Sequence, residues 1–152
     1  MKDKFFLVLG IMIILGSFYL FIQKPAPEYH QFTPLIRIGD QTIAVEIADS
    51  EEERNLGLSG RESMPSGSRL LFIFNLSGKY GFWMKDMYFP IDIVWIDESW
   101  QVIGVERNLD PDTYPQVFYP NQAIKYALEI PAGNAVDFGI DTGSILFFDQ
   151  RN

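Results

Sequence analysis

No cysteine occurs in this chain, and histidine occurs once, as His30. Without thiols there are no disulfides, no thiolate metal sites and no cysteine nucleophiles. A lone imidazole in a proline-rich stretch also removes histidine-based zinc sites and Ser-His-Asp triads. No metal site and no cofactor is therefore expected. Basic charge is the next scarcity. Lys2, Asp3, Lys4 and Lys24 flank an apolar run, and beyond them residues 25–152 hold nine basic and 19 acidic groups, a net charge of −10 against −8 for the whole chain. Such a domain repels nucleic acid and anionic lipid headgroups, so no nucleic-acid partner is expected. The same charge also serves solubility.

What the chain has in quantity is apolar and aromatic surface. Residues 5–22 read FFLVLGIMIILGSFYLFI, 18 positions without a charge, of which 13 are Leu, Ile, Val or Phe. A helix of that length spans about 27 Å, close to the hydrocarbon thickness of a bilayer. The insertion free energy, on the order of −4 to −8 kcal/mol, outweighs Gly10, Gly16 and Ser17. A cleaved signal peptide would need a shorter apolar run and a small-x-small cleavage site. Ala26, with Lys24 before it and Pro27 after it, is a poor one. Residues 1–24 are thus expected to be an uncleaved, single-pass transmembrane anchor with a cytoplasmic N-terminus, favoured by Lys2 and Lys4. Pro25, Pro27 and Pro34 make residues 25–34 an extended linker. Residues 35–152 are then an extracytoplasmic domain.

Thirteen Phe, seven Tyr and three Trp tilt that domain towards strands. Strands are expected at 35–38 and 42–48 around a Gly39-Asp40 turn, then at 69–74, 80–84, 91–97, 100–107, 124–130 and 144–149. Ser50 and Glu53 form a capping box that starts a short helix ending near Gly57 or Gly60. A second short helix fits 132–138, and residues 109–123 read as a long loop of a length that is often functional. The expected fold is mostly β (α+β), a compact small barrel or sandwich of about seven or eight short strands and two short helices, preceded by the transmembrane helix.

Three constellations could carry chemistry. Arg54 and Arg61 flank a helix end and could clamp an anion, or each could pair with a nearby glutamate. Trp83, Lys85 and Asp86 could floor a site for a sugar or small polar ligand, or be core and turn. Asp92 and Asp97 point to opposite faces of a regular strand at about 17 Å separation. Asp92 with Glu129, on the polar side of its strand, is the remaining pair that could act as acid and base in glycoside cleavage. The alternative is that both are satisfied polar residues at strand edges.

The order Glu53-Arg54-x-x-Gly57-Leu58-x-x-Arg61, Leu71-Phe72-x-Phe74, Phe82-Trp83-Met84-Lys85, Pro90-Ile91-Asp92, Asp97, Tyr119-Pro120 and Leu128-Glu129-x-x-Ala132-Gly133 resembles the domain-of-unknown-function family 192, also called uncharacterised protein family 0127. The resemblance spans roughly residues 35–149. It implies a small exported or membrane-anchored prokaryotic protein of mostly β structure, and it implies no activity, cofactor or catalytic residue. Ser59 stands where many members carry Met, and Asp86-Met87 where Asn-Thr is usual. The functional expectation is a binding domain for a small polar or glycan ligand or an envelope component. Its ligand would lie near Arg54, Arg61, Trp83, Lys85, Asp92 and Glu129. The alternatives are a hydrolase of envelope polysaccharide using Asp92 and Glu129, and a protein-interaction scaffold. No catalytic residue is assigned.

Overall fold

The computed structural model describes residues 34–64 and 69–149. The expected anchor at 5–22 and nearly all of the linker lie outside the described residues. Among the described residues no helix is long and apolar enough to cross a membrane.

The first hairpin forms as its sequence dictates. Gly39, at φ 54°, supplies the left-handed turn between β1 (Leu35–Ile38) and β2 (Gln41–Ala44). The single strand expected at 42–48 is instead broken at Val45. There the chain leaves its partner β1 and enters another sheet as β3 (Glu46–Ala48). Ser50 then caps α1 (Glu51–Leu56): its hydroxyl accepts from Glu53 N–H, and the Glu53 carboxylate accepts from the Ser50 backbone. Glu51, Glu52 and Glu53 complement the dipole of the first turn. Gly57, at φ 52°, stops the helix. The next strand, β4 (Leu70–Gly78), runs parallel to β3, so β3, α1 and β4 make a crossover that lays α1 on one face of the sheet.

The remaining strands are β5 (Phe82–Trp83), β6 (Ile91–Ile96), β7 (Val102–Leu109), β8 (Val117–Phe118), β9 (Ile124–Pro131) and β10 (Leu146–Asp149), with a short α2 at Asn134–Asp137. The central sheet has the order β3-β4-β9-β6-β7, and all pairings except β3–β4 are antiparallel. Every residue of β6 is buried, because both faces of the sheet are covered. On one face Phe72, Ile93, Trp95 and Ala127 pack beneath Leu58, Phe82, Met84 and Met87. On the other, Leu71, Val94, Ile96, Leu128 and Ile130 pack against Ile36, Ile38, Ile43 and Leu146 of a second sheet, β10-β1-β2.

One side of the central sheet is therefore a sandwich, as expected. Among the described residues a closed barrel is not formed, since β3 and β7 are the edges of the central sheet. The described residues contain ten strands rather than seven or eight. One extra strand comes from the break at Val45. Another comes from the presumed loop at 109–123, which holds a 3-10 turn (Pro111–Thr113) and β8, the antiparallel partner of β5.

Candidate functional site

A cavity of about 410 Å³ opens between the end of α1 and the β4–β5 segment, a size that suits a small ligand. Its walls are mostly apolar and aromatic, with Leu58, Phe72, Phe74, Tyr80, Phe82 and Met87 among them. Phe74 and Tyr80 stack at 3.7 Å between centroids, and Phe72 meets Phe82 edge-on at 4.9 Å. These rings brace one another and fix the shape of the cavity. The outer rim carries Leu56, Leu76 and Trp83, all well exposed.

Glu129 sits in the wall. Its strand neighbours alternate so that Leu128 and Ile130 face the β10-β1-β2 sheet, while Glu129 shares the opposite face with Ala127. That face was expected to be polar and open. It is covered by α1 and the segment after it, and Glu129 is only 6% exposed. Its Oε2 is buried and has no hydrogen-bond partner. Burial pushes the carboxyl pKa up to about 8, against a smaller opposing pull from the Arg61 charge. Burial thus favours the protonated form of Glu129, whose Oε2 is a polar atom buried in the cavity wall. Gly57 lies over it: a Cβ there would be in ordinary contact, 3.4 Å from Phe72 Cζ and 4.0 Å from Glu129 Oε2.

The expected site residues divide into two groups. Arg54, Trp83 and Glu129 line the same cavity. Arg54 is also a strut: its guanidinium donates to the carbonyls of Asp49 and Ile73 and lies 5.7 Å from the Phe74 ring centroid. Arg61 stands beside the cavity wall, close enough for its charge to act on Glu129, but its guanidinium grips Glu46 through two bonds of 2.9 and 3.0 Å. It is a surface ion pair, not an anion clamp. Lys85 is exposed and does not line the cavity. Its backbone carbonyl accepts from the Ser59 hydroxyl at 2.8 Å, and Gly60 N–H donates to the Asp86 carbonyl, which ties the loop after α1 to the turn after β5.

Asp92 is on the wrong side of the sheet for the cavity. It is fully buried, and its carboxylate accepts from the backbone N–H groups of Asn108 and Ala135 at 2.8 and 3.0 Å. Ile93, not Asp92, is the register partner of Glu129, so the two carboxyl groups project to opposite faces. The sheet separates them, and no single substrate can meet both as acid and base. Asp97 likewise closes a turn, accepting from Ser99 and Gln101. Burial tends to raise its pKa, but those hydrogen bonds hold it below the ordinary value.

Sequence reasoning missed the walls contributed by Asn55, Ser59, Tyr80 and Met87. The signal available was weak: a lone acid in the apolar run Ala127-Leu128-Glu129-Ile130.

The family model described as Uncharacterized ACR, DUF192, matches residues 35–148. A protein from Sinorhizobium meliloti 1021, provisionally described as a transcription regulator, shares the fold with a TM-score of 0.69 at 24% identity, over 76% of this chain and 91% of its own. A protein of unknown function from Novosphingobium aromaticivorans DSM 12444 does so with a TM-score of 0.68 at 21% identity, over 82% and 94%. At these identities the likeness concerns fold alone. No curated protein matches the chain.

Proposed function

The chain belongs to the uncharacterised domain-of-unknown-function family 192, and we propose that it is a binding domain for a small neutral ligand that presents a hydrogen-bond acceptor to Glu129. The observation that carries this reading is the buried, unpartnered Oε2 of Glu129 in the wall of an aromatic cavity. An unsatisfied buried polar group costs about 1–3 kcal/mol. A ligand hydroxyl or carbonyl oxygen that accepts the Glu129 proton recovers that cost. The aromatic walls supply apolar contact to the rest of the molecule.

Neutrality follows from charge. Nineteen acidic groups against nine basic ones in residues 25–152 repel an anion, and Arg54, whose guanidinium is engaged by backbone carbonyls, lines the cavity against a cation. The same −10 charge argues against a protein that grips DNA. We further infer from residues 5–22 that the domain is held outside a membrane, where envelope components are the available ligands.

The test is a screen of neutral metabolites and saccharides against the full-length chain, read by thermal shift. Hits should weaken about tenfold per pH unit above about pH 8 as Glu129 ionises. Glu129→Gln, which keeps a donor, should retain the hits without this pH dependence. Glu129→Leu, which keeps the volume and removes the donor, should lose them. Undiminished binding by Glu129→Leu would overturn the reading.

A further inference from the structure

The two-stranded β5–β8 ribbon has a core face and an outer face. Phe82 and Phe118 are register partners, both pack into the core cluster, and Trp83 pairs with Val117. By alternation Gly81, Trp83, Val117 and Tyr119 belong to the outer face. None of the four is charged. Trp83 is 50% exposed and Tyr119 57% exposed. The Tyr119 ring and Val117 press close on the bare backbone of Gly81: a Cβ there would come within 2.7 Å of Tyr119 Cε1 and of Val117 Cγ1. Gly81 and Trp83 in turn belong to the cavity lining. An uncharged aromatic shelf therefore runs without a break from the cavity mouth onto the ribbon.

We propose that this shelf is the second subsite of the cavity, and that the ligand is the end of a neutral glycan chain rather than a free monosaccharide. The proposal rests on the reading of the cavity given above. The terminal sugar would enter the cavity, where a ring hydroxyl accepts the Glu129 proton. The next one or two sugars would lay their C–H faces on Trp83 and Tyr119. An exposed indole and phenol with apolar faces and polar tips suit a ligand that is apolar on its ring faces and polar at its edges. The uncharged shelf on a strongly acidic domain fits a neutral chain and repels an acidic polysaccharide. A peptide adding to a strand edge is less well served, because β5 and β8 have two residues each and are already paired with each other.

The experiment is calorimetric titration of the full-length chain with β-1,4-linked glucose and N-acetylglucosamine oligosaccharides of one to six units. Affinity should rise by about tenfold or more from the monosaccharide to the trisaccharide, equivalent to ~1.4 kcal/mol, and level off beyond it. Tyr119→Ala, outside the cavity lining, should abolish that length dependence while leaving monosaccharide binding, and its loss in Glu129→Leu, unchanged. Trp83→Ala should abolish the length dependence as well. Phe147→Ala, at a half-exposed ring on β10, should alter neither. Monosaccharides that bind as tightly as oligomers, with Glu129 still required, would overturn the chain-end proposal and leave the cavity reading standing. Oligomer binding that ignores Glu129→Leu would overturn both. Binding of apolar peptides but of no saccharide would overturn the glycan proposal in favour of a protein partner.

Discussion

Two carboxyl groups on neighbouring strands have opposite fates, set by what covers each face of one sheet. Asp92 accepts two backbone N–H groups and locks the end of β7 and the start of α2 to β6. Asp92→Ala would strand both donors in the interior, at about 1–3 kcal/mol each, so urea denaturation should show a loss of about 3 kcal/mol or more. Glu129 Oε2 has no hydrogen-bond partner, and the folded pKa of the carboxyl, about 8, lies above the ordinary 4.5. The folded state therefore holds a proton that the unfolded chain releases between these values, and stability falls as pH rises from about 4.5 through about 8. Glu129→Gln should melt close to the wild type at about pH 5 and several degrees above it at about pH 9. An equal melting temperature at both pH values would show that Glu129 is not a buried acid.

At the scale of elements, local signals were legible and pairing was not. The capping box at Ser50 and Glu53, the Gly39 turn and the strand at Ile91–Ile96 follow from residues a few positions apart. Ser50→Ala removes the hydroxyl that accepts from Glu53 N–H and donates to the Glu53 carboxylate and should cost about 1 kcal/mol, readable as a lower urea midpoint with an unchanged slope. The break at Val45 was not legible, because an alternating apolar pattern is the same whether a strand stays in one sheet or crosses to the next. The burial of Glu129 was hidden for a related reason. Alternation identifies which residues share a face, but only the return of α1 over β4 and β9 decides whether that face meets water. Arg54, Trp83 and Glu129, named from the sequence, line one cavity, while Asp92, Lys85 and Arg61, grouped with them on residue type and motif, do not.

For the whole molecule, a mostly β fold was readable from aromatic content and strand spacing. Its layering depends on contacts distant in sequence, such as β1 with β10, and was not. The proposed anchor belongs to this scale. Deleting residues 5–22 should move the chain from the membrane pellet to the soluble fraction after cell lysis. A full-length chain that is soluble without detergent would contradict the anchor but not the cavity.

The central claim is that a protonated glutamic acid waits in the cavity wall. Carbon-13 NMR titration of the side-chain carboxyls of the full-length chain, with the Glu129 signal assigned by its loss in Glu129→Gln, measures this directly. The expected inflection is at about 8, moving higher when a ligand accepts the proton. An inflection at or below the ordinary 4.5, unmoved by any ligand, would contradict it.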